Sequence, residues 1–248
     1  MSGPDARAFT VGPVQENSYI VRADGSAKRA LIVDPGDEAE RLLEAADALG
    51  VEIEAILITH CHFDHIGAVA QIARATGAPV YCPVIERGVL ADVMQWVPPG
   101  FGPFESYEAD LTVEGGERLS LAGLDIEVIF TPGHSPGHVT YAIAPAAASD
   151  DAGLDAEAAA DRVTPERALL SGDVLFQGSV GRVDLPGGDW ATLERSIGGL
   201  LDAFPADTTV YPGHMGVTTL GRERDTNPFL AELRTKVQAT AAPGPAHT

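Results

Sequence analysis

Four side chains that can bind metal ions are crowded into six residues of this sequence, namely His60, His62, Asp64 and His65. If the turn is extended, alternate side chains share a side, so His60 and His62 should face one position and Asp64 and His65 its neighbour. Imidazole favours zinc, copper, iron or nickel, and a carboxylate ligand extends the choice to manganese. The spacing therefore predicts two adjacent divalent metal ions, with zinc expected first and iron or manganese as alternatives.

Three further groups of the same kind follow later in the chain, each at the end of a predicted strand. His134 lies in a Pro- and Gly-rich turn, Asp173 follows a Ser-Gly pair, and His214 follows a Pro-Gly pair. A rigid turn at a strand end can hold such a side chain in one orientation. His138 begins the next strand, and its pattern leaves open whether it is a hydrogen-bond partner of the site or a structural histidine.

Blocks of strands separated by helices must position these groups. Apolar stretches and turn signals predict strands at residues 17–21, 30–33, 53–58, 78–81, 118–121, 125–130, 139–143 and 168–170, and before the turn of His214. Apolar residues at helical spacing predict helices at 37–49, 67–76, 190–204 and 228–239. Such an order favours a layered α/β architecture over a strictly alternating parallel sheet.

The 248 residues are enough for one core, and we expect a single catalytic domain over residues 1–240. An Ala- and Asp-rich stretch at about 146–166 is predicted to be a surface insertion. Residues 241–248, including His247, are predicted to form a flexible tail. The Pro- and Gly-rich segment at 96–107 could cover a pocket, anchor its aromatic residues to the core, or contact a second subunit.

Acidic residues dominate the charge of the chain, with 36 Asp and Glu against 16 Lys and Arg and a formal net charge of -20. This charge, without any basic run, argues against a nucleic acid partner and disfavours a nuclease. The sequence has neither a signal-peptide pattern nor an apolar run of bilayer length, so no membrane association is expected. Cys61 and Cys82 are too few for a disulfide framework, which favours a cytoplasmic location.

Taken in order, the pattern His60-x-His62-x-Asp64-His65, then His134, Asp173 and His214, resembles the ligand set of the metallo-β-lactamase superfamily. The resemblance spans most of the chain and implies an α/β fold, an αββα sandwich of two mixed sheets. It implies that His60, His62 and His134 bind one ion, that Asp64, His65 and His214 bind the other, and that Asp173 bridges them. Asp64 and Asp173 would then serve catalysis through the metals.

Within that superfamily, residues 11–17 and 181–189 resemble bacterial hydrolases grouped with glyoxalase II, which implies a small-molecule thioester as substrate. Longer members bind glutathione through a C-terminal helical domain that has no match here, so the resemblance does not identify the thiol part of the substrate. Arg182 is a candidate for binding an anionic substrate group, or for bracing its loop by pairing with Asp184 or Asp189. The oligomeric state is expected to be a monomer or a homodimer.

The favoured hypothesis is hydrolysis of an S-acyl, S-lactoyl-like thiol by a hydroxide held between the two ions. A persulfide dioxygenase resembles the first histidine cluster but uses one iron with two histidines and an aspartate. Lactone or β-lactam hydrolysis is also open, because a metal-bound hydroxide does not itself select the acyl compound. A purely structural metal site is disfavoured, because such sites prefer cysteine and leave no coordination position open.

Overall fold

The computed structural model describes residues 3–146 and 167–231 and contains two six-stranded mixed sheets. The first sheet, in spatial order, consists of β1 (Asp5–Val11), β2 (Glu16–Arg22), β3 (Arg29–Val33), β4 (Glu52–Leu57), β5 (Val80–Pro83) and β6 (Leu111–Val113). The second consists of β7 (Arg118–Leu121), β8 (Leu124–Phe130), β9 (Val139–Pro145), β10 (Ala168–Gly172), β13 (Thr209–Pro212) and β14 (Thr218–Thr219). A small hairpin pairs β11 (Leu175–Phe176) with β12 (Ser179–Val180).

Helices lie on the outer faces of these sheets. They are α1 (Ala39–Leu49), α2 (Phe63–Ile66), α3 (Val69–Thr76), α4 (Arg87–Ala91), α5 (Trp190–Ala203) and α6 (Leu220–Thr226), with short 3-10 turns at Val93–Gln95 and Pro228–Leu230. Within the described ranges, none of these helices is long and apolar enough to cross a membrane.

Three apolar cores separate the layers, because side chains alternate between the two faces of each strand. Ile20 and Ile32 face α1 and α3, whereas Tyr19 and Leu31 on the same strands face the second sheet. A third cluster joins the far side of the second sheet to α5, where Leu193 is fully buried. The order helix, sheet, sheet, helix confirms the predicted αββα sandwich.

The predicted elements are confirmed where the apolar pattern was long. The predicted helix at 190–204 is α5, and the predicted strands at 118–121 and 125–130 are β7 and β8. The structure corrects the extended geometry predicted for the turn at residues 60–65, because the chain is extended only as far as His62. Asp64 and His65 lie on the short helix α2, and the ring centroid of His65 still lies 4.2 Å from that of His60. The predicted insertion at about 146–166, apart from its first residue, lies outside the described residues, as do the tail and most of the predicted helix at 228–239.

The direction of the strands places the potential ligands at one edge. In the second sheet β8, β10 and β13 run the same way, since β8 and β10 are each antiparallel to β9 and β10 is parallel to β13. In the first sheet β3 and β4 are parallel. The two sheets are joined near this edge, where Tyr141 Oη donates to the carbonyl of Ile58 at 2.9 Å and Asn17 N donates to the carbonyl of Gly213 at 2.7 Å.

Candidate metal centre

The seven predicted ligands come together at this shared edge. Those at 60–65 follow β4, and the other three follow β8, β10 and β13 respectively. They form two groups, one of His60, His62 and His134 and one of Asp64, His65 and His214, with Asp173 between them. Each group was predicted as such from the resemblance, and the fold brings its members together from both sheets.

The first group is a triangle of three imidazole nitrogens. His60 Nε2 lies 3.0 Å from His62 Nδ1, His62 Nδ1 lies 2.8 Å from His134 Nε2, and His134 Nε2 lies 3.2 Å from His60 Nε2. Nitrogens bound to one zinc ion at about 2.0–2.1 Å are separated by similar distances. The spacing of this triangle therefore suits three ligands of a single metal ion.

In the second group, Asp64 Oδ2 lies 3.3 Å from His214 Nε2 and 3.9 Å from His65 Nε2. Asp173 faces both groups, because its Oδ1 lies 3.4 Å from His65 Nε2 and its Oδ2 lies 3.4 Å from His134 Nε2. Oδ2 also lies 3.6 Å from His214 Nε2, so the carboxylate stands between the two groups and has the placement of a bridging ligand.

The donor set fits bound cations by a second observation. His65 Nε2 and Asp173 Oδ1 are buried and have no hydrogen-bond partner within the part of the chain that the structure describes. Leaving such atoms unpaired costs free energy, which ligation of a metal ion removes. The residues present therefore fit two divalent ions.

Burial and charge set the protonation of the groups. Burial, followed by the neighbouring His65, lowers the pKa of His60, and burial with the nearby His134 lowers the pKa of His62 to about 4. These two imidazoles are therefore neutral at pH 7 and offer lone pairs to a metal.

The second group behaves differently. Burial opposes the charge on His65, but the carboxylates of Asp173 and Asp64 outweigh burial and raise its pKa. The same attraction, acting against burial, lowers the pKa of Asp173 and of Asp64. Without metal, a proton on His65 thus balances part of the carboxylate charge that two cations would otherwise neutralise.

Hydrogen bonds on the outer nitrogens orient several rings. His134 Nδ1 donates to the carbonyl of Arg182 at 2.7 Å, and His214 Nδ1 donates to the carbonyl of Gln15 at 3.3 Å. A carbonyl only accepts, so the proton sits on Nδ1 and the Nε2 lone pair points into the site.

Asp34 follows β3 and is a supporting residue that the sequence analysis did not single out. Its carboxylate accepts hydrogen bonds from the N–H of Thr59 at 2.7 Å, from the hydroxyl of Thr59 at 2.6 Å and from Nδ1 of His65 at 3.1 Å. Asp34 also lies within metal-binding reach of His60 and His65, but these bonds already occupy both of its oxygens. Its place beside two ligands indicates a role in orienting them.

Other predicted residues lie around the ligands. His138 is buried, and its Nε2 accepts a hydrogen bond from the backbone N–H of Asp173 at 3.1 Å. Of the two roles left open by the sequence, this bond favours that of a hydrogen-bond partner of the site. Cys61 and Cys82 are buried free thiols whose sulfurs lie 3.5 Å apart. The guanidinium of Arg182 pairs with Asp184 of the same loop through two bonds of 2.7 Å, and its carbonyl orients His134.

The aromatic segment packs beside the site. The ring of Phe63, which lies between two ligands, is 4.8 Å from that of Phe101 and 6.0 Å from that of Phe104. Phe104 and Tyr107 are partly buried against the first core, whereas Trp96 is 51% exposed. Two of these aromatics therefore anchor the segment, and a cleft of about 290 Å³ separates it from Pro13 and Asp37.

An αββα sandwich with two ligand groups bridged by an aspartate at one edge defines a metal-dependent hydrolase with a binuclear centre. The sequence model of the metallo-beta-lactamase superfamily matches residues 11–146. The chain belongs to this superfamily.

Two curated relatives match nearly the whole chain. It is 38% identical to the probable metallo-hydrolase YqgX of Bacillus subtilis, over 90% of this chain and 96% of the relative. It is 32% identical to the hydroxyacylglutathione hydrolase GloC of Haemophilus influenzae, over 87% and 93% of the two chains.

Two solved structures share the fold and much of the sequence. The BLEG-1 B3 metallo-beta-lactamase is 36% identical, with a TM-score of 0.76 over 92% of this chain and 100% of that one. TTHA1623 in a di-iron-bound form is 39% identical, with a TM-score of 0.66 over 90% and 100% of the two chains.

Proposed function

We propose that this protein is a thioester hydrolase of glyoxalase II type that cleaves S-lactoyl-like thiols with two divalent metal ions. His60, His62 and His134 would hold one ion, and Asp64, His65 and His214 the other. Zinc is the expected metal, and the di-iron form of TTHA1623 keeps iron as the principal alternative.

The observation that carries this proposal is the position of Asp173. Its two oxygens each lie 3.4 Å from a ligand nitrogen of a different group. A bridging carboxylate fixes the separation of two cations, which distinguishes a binuclear catalytic centre from a closed structural site.

Two cations held by these ligands and by Asp173 would supply hydroxide at neutral pH and a Lewis acid for the substrate carbonyl. Residues of the chain itself prepare this centre for metal binding and shield one side of it. His60 and His62 remain neutral because burial lowers their pKa values, so both are ready to bind metal at pH 7. Phe63 and Phe101 place apolar surface next to the ligand turn, which limits the access of water from that side.

The thioester assignment is supported by the two segments that resemble glyoxalase II-like hydrolases. Both lie against ligands, since Gln15 accepts from His214 and Arg182 accepts from His134 through their carbonyls. The 32% identity to the hydroxyacylglutathione hydrolase GloC points to the same substrate class.

A β-lactamase activity is the second candidate, because the BLEG-1 metallo-beta-lactamase is 36% identical over its full length. A hydroxide that attacks a thioester carbonyl can also attack a strained amide. The substrate therefore has to be determined by direct comparison.

The test combines metal analysis with parallel assays of the purified protein. Zinc, iron and manganese are measured per chain, and hydrolysis is followed with S-lactoylglutathione, S-lactoyl-coenzyme A and nitrocefin. We expect two ions per chain and a kcat/KM of about 10⁴ M⁻¹s⁻¹ or more for one S-lactoyl thiol. Turnover of nitrocefin alone would favour the β-lactamase, and one iron with oxygen uptake on a persulfide would favour a dioxygenase.

Two substitutions assign the residues. Asp173→Asn should lower the metal content and activity together, because an amide replaces one bridging oxygen. Arg182→Ala tests the predicted substrate contact, with Asp184→Ala as its control, since the latter removes only the partner of the exposed ion pair. A rise in KM for Arg182→Ala alone would assign the guanidinium to the substrate, whereas equal KM values would assign it to the loop.

A further inference from the structure

The side chain of Glu86 reaches both turns that carry the first ligand group. Glu86 lies between β5 and α4, on the side of the first sheet, and is only 5% exposed. It is not a predicted ligand, and it belongs to none of the clusters of potential metal ligands among the described residues.

Its carboxylate accepts three hydrogen bonds. Oε2 accepts the backbone N–H of Cys61 at 3.1 Å, while Oε1 accepts the hydroxyl of Ser135 at 2.6 Å and the N–H of Gly137 at 2.8 Å. Cys61 separates His60 from His62, and Ser135 directly follows His134. Each of the three histidines is therefore next in sequence to a residue that Glu86 holds.

These turns come from different sheets. The turn of Cys61 follows β4 of the first sheet, whereas Ser135 and Gly137 lie between β8 and β9 of the second. Gly137 packs directly on the Glu86 side chain, since a Cβ there would collide with Glu86 Cγ. A buried carboxylate needs such donors to offset its lost hydration, so its position is strictly defined.

We infer that Glu86 is a positioning residue that joins the two turns of the three-histidine group and thereby sets the metal affinity of that group alone. The inference rests on the proposed binuclear centre. Residues that orient metal ligands from outside typically change affinity by about 10- to 100-fold when they are removed. Asp64, His65 and His214 have no hydrogen bond to Glu86 among the described residues, so their ion should be little affected.

The test measures zinc affinity at each group separately, using metal-free full-length protein and a competing chromophoric chelator. His214→Ala weakens the second group and leaves the three-histidine group intact, whereas His62→Ala does the reverse. In the His214→Ala background, adding Glu86→Ala should lower zinc affinity about 10- to 100-fold. In the His62→Ala background the same addition should change it by less than about threefold.

Glu86→Gln provides a graded rescue. With its oxygen toward Ser135 and Gly137, the amide keeps two hydrogen bonds but turns its NH₂ toward the N–H of Cys61. The zinc affinity of the three-histidine group should therefore fall less in Glu86→Gln than in Glu86→Ala. If Glu86→Ala does not fold, Glu86→Gln and Ser135→Ala carry the same comparison.

Glu223→Gln is the matched control. Glu223 is another buried carboxylate with three donors, Gly178 N–H, the hydroxyl of Thr218 and the amide of Asn227, and none of them adjoins a histidine of the first group. This variant should lower the melting temperature and leave the affinity of the three-histidine group unchanged.

The outcomes separate the two proposals. If neither single-group background binds zinc, the proposed metal centre fails and this inference fails with it. If the three-histidine group binds zinc but Glu86→Ala and Glu86→Gln leave its affinity unchanged, or weaken both groups equally, only the role of Glu86 is overturned.

Discussion

The backbone N–H of Asp173 donates a hydrogen bond to Nε2 of His138 over 3.1 Å. The other ring nitrogen, Nδ1, lies 3.0 Å from the hydroxyl of Thr131. Burial lowers the pKa of His138, so the ring is neutral, with its proton on Nδ1 and its lone pair on Nε2. A residue outside the ligand set thus holds the backbone of the bridging aspartate.

His138→Ala should therefore destabilise the protein and loosen the bridge. It leaves the buried N–H of Asp173 without an acceptor, which costs about 1–3 kcal/mol. Urea unfolding should show this loss, and metal analysis after dialysis should show fewer than two ions per chain.

Ser196→Ala serves as the control for His138→Ala. Its hydroxyl donates to the carbonyl of Pro132 at 2.7 Å, so the change removes a bond to the same turn without touching Asp173. Retention of both ions in His138→Ala would show that the bond to Asp173 is dispensable for the bridge.

Gly213 lies where any side chain would enter the centre. A Cβ at this position would stand too close to Asp173 Oδ1 and 2.7 Å from Cε1 of His65. Gly213→Ala should therefore displace the bridging Asp173 and the second-group ligand His65 and lower metal content and activity, while most of the fold is kept. Circular dichroism and metal analysis on the same sample check this prediction.

Gly199→Ala is the comparison, because Gly199 lies within α5 and a Cβ there would meet none of the described residues within 4 Å. Alanine in a helix interior is more stable than glycine by up to about 1 kcal/mol, so this variant should gain stability and keep its metals. Equal metal content in both variants would contradict the steric argument for Gly213.

The ligands were predictable because metal-binding side chains in short turns leave a local pattern. A few consecutive residues are enough to recognise the turn at 60–65 and the Pro-Gly turns of His134 and His214. The extended geometry assumed for the first turn was wrong, because α2 begins at Phe63 and no strong helix signal spans its four residues.

The supports of the ligands could not be predicted in the same way. Asp34 and Glu86 contact the site through residues 25 to 51 positions away. Neither of them is next to a predicted ligand in the sequence. Asp34 in Asp-Pro-Gly is typical of an ordinary turn. The strand β1 was missed as well, because only its last residue, Val11, is fully buried and its apolar pattern is weak.

Asp34→Asn should weaken metal binding about 10- to 100-fold, as expected for loss of a group that orients ligands. The carboxylate accepts from Thr59 on both oxygens and from His65 on one, so an amide nitrogen in either position faces a donor. Competition with a chelator measures the affinity. Asp37→Asn changes a nearby carboxylate whose only hydrogen bond among the described residues is from the N–H of Glu38, so this variant should bind metal as the wild type does.

Removal of the metals should make stability decrease as the pH rises above neutrality. The pKa of His65 is raised in the folded metal-free protein, since the carboxylates of Asp173 and Asp64 outweigh burial. Its proton therefore stabilises the fold fully below the unfolded value of 6.5, and this contribution is lost as the pH rises through the folded pKa. His214, whose pKa is also raised against the effect of burial, acts in the same direction.

Thermal unfolding in chelator, compared with unfolding in zinc, checks this between pH 6.5 and about 7.5. His60 and His138 do not interfere in this range, because their lowered pKa values affect stability only below 6.5. The scan stops before the thiol of Cys61, whose pKa burial raises, ionises in the unfolded chain. We expect a falling melting temperature in chelator and a nearly constant one in zinc, where the ions replace the proton on His65. Parallel curves would show that His65 is already neutral without metal.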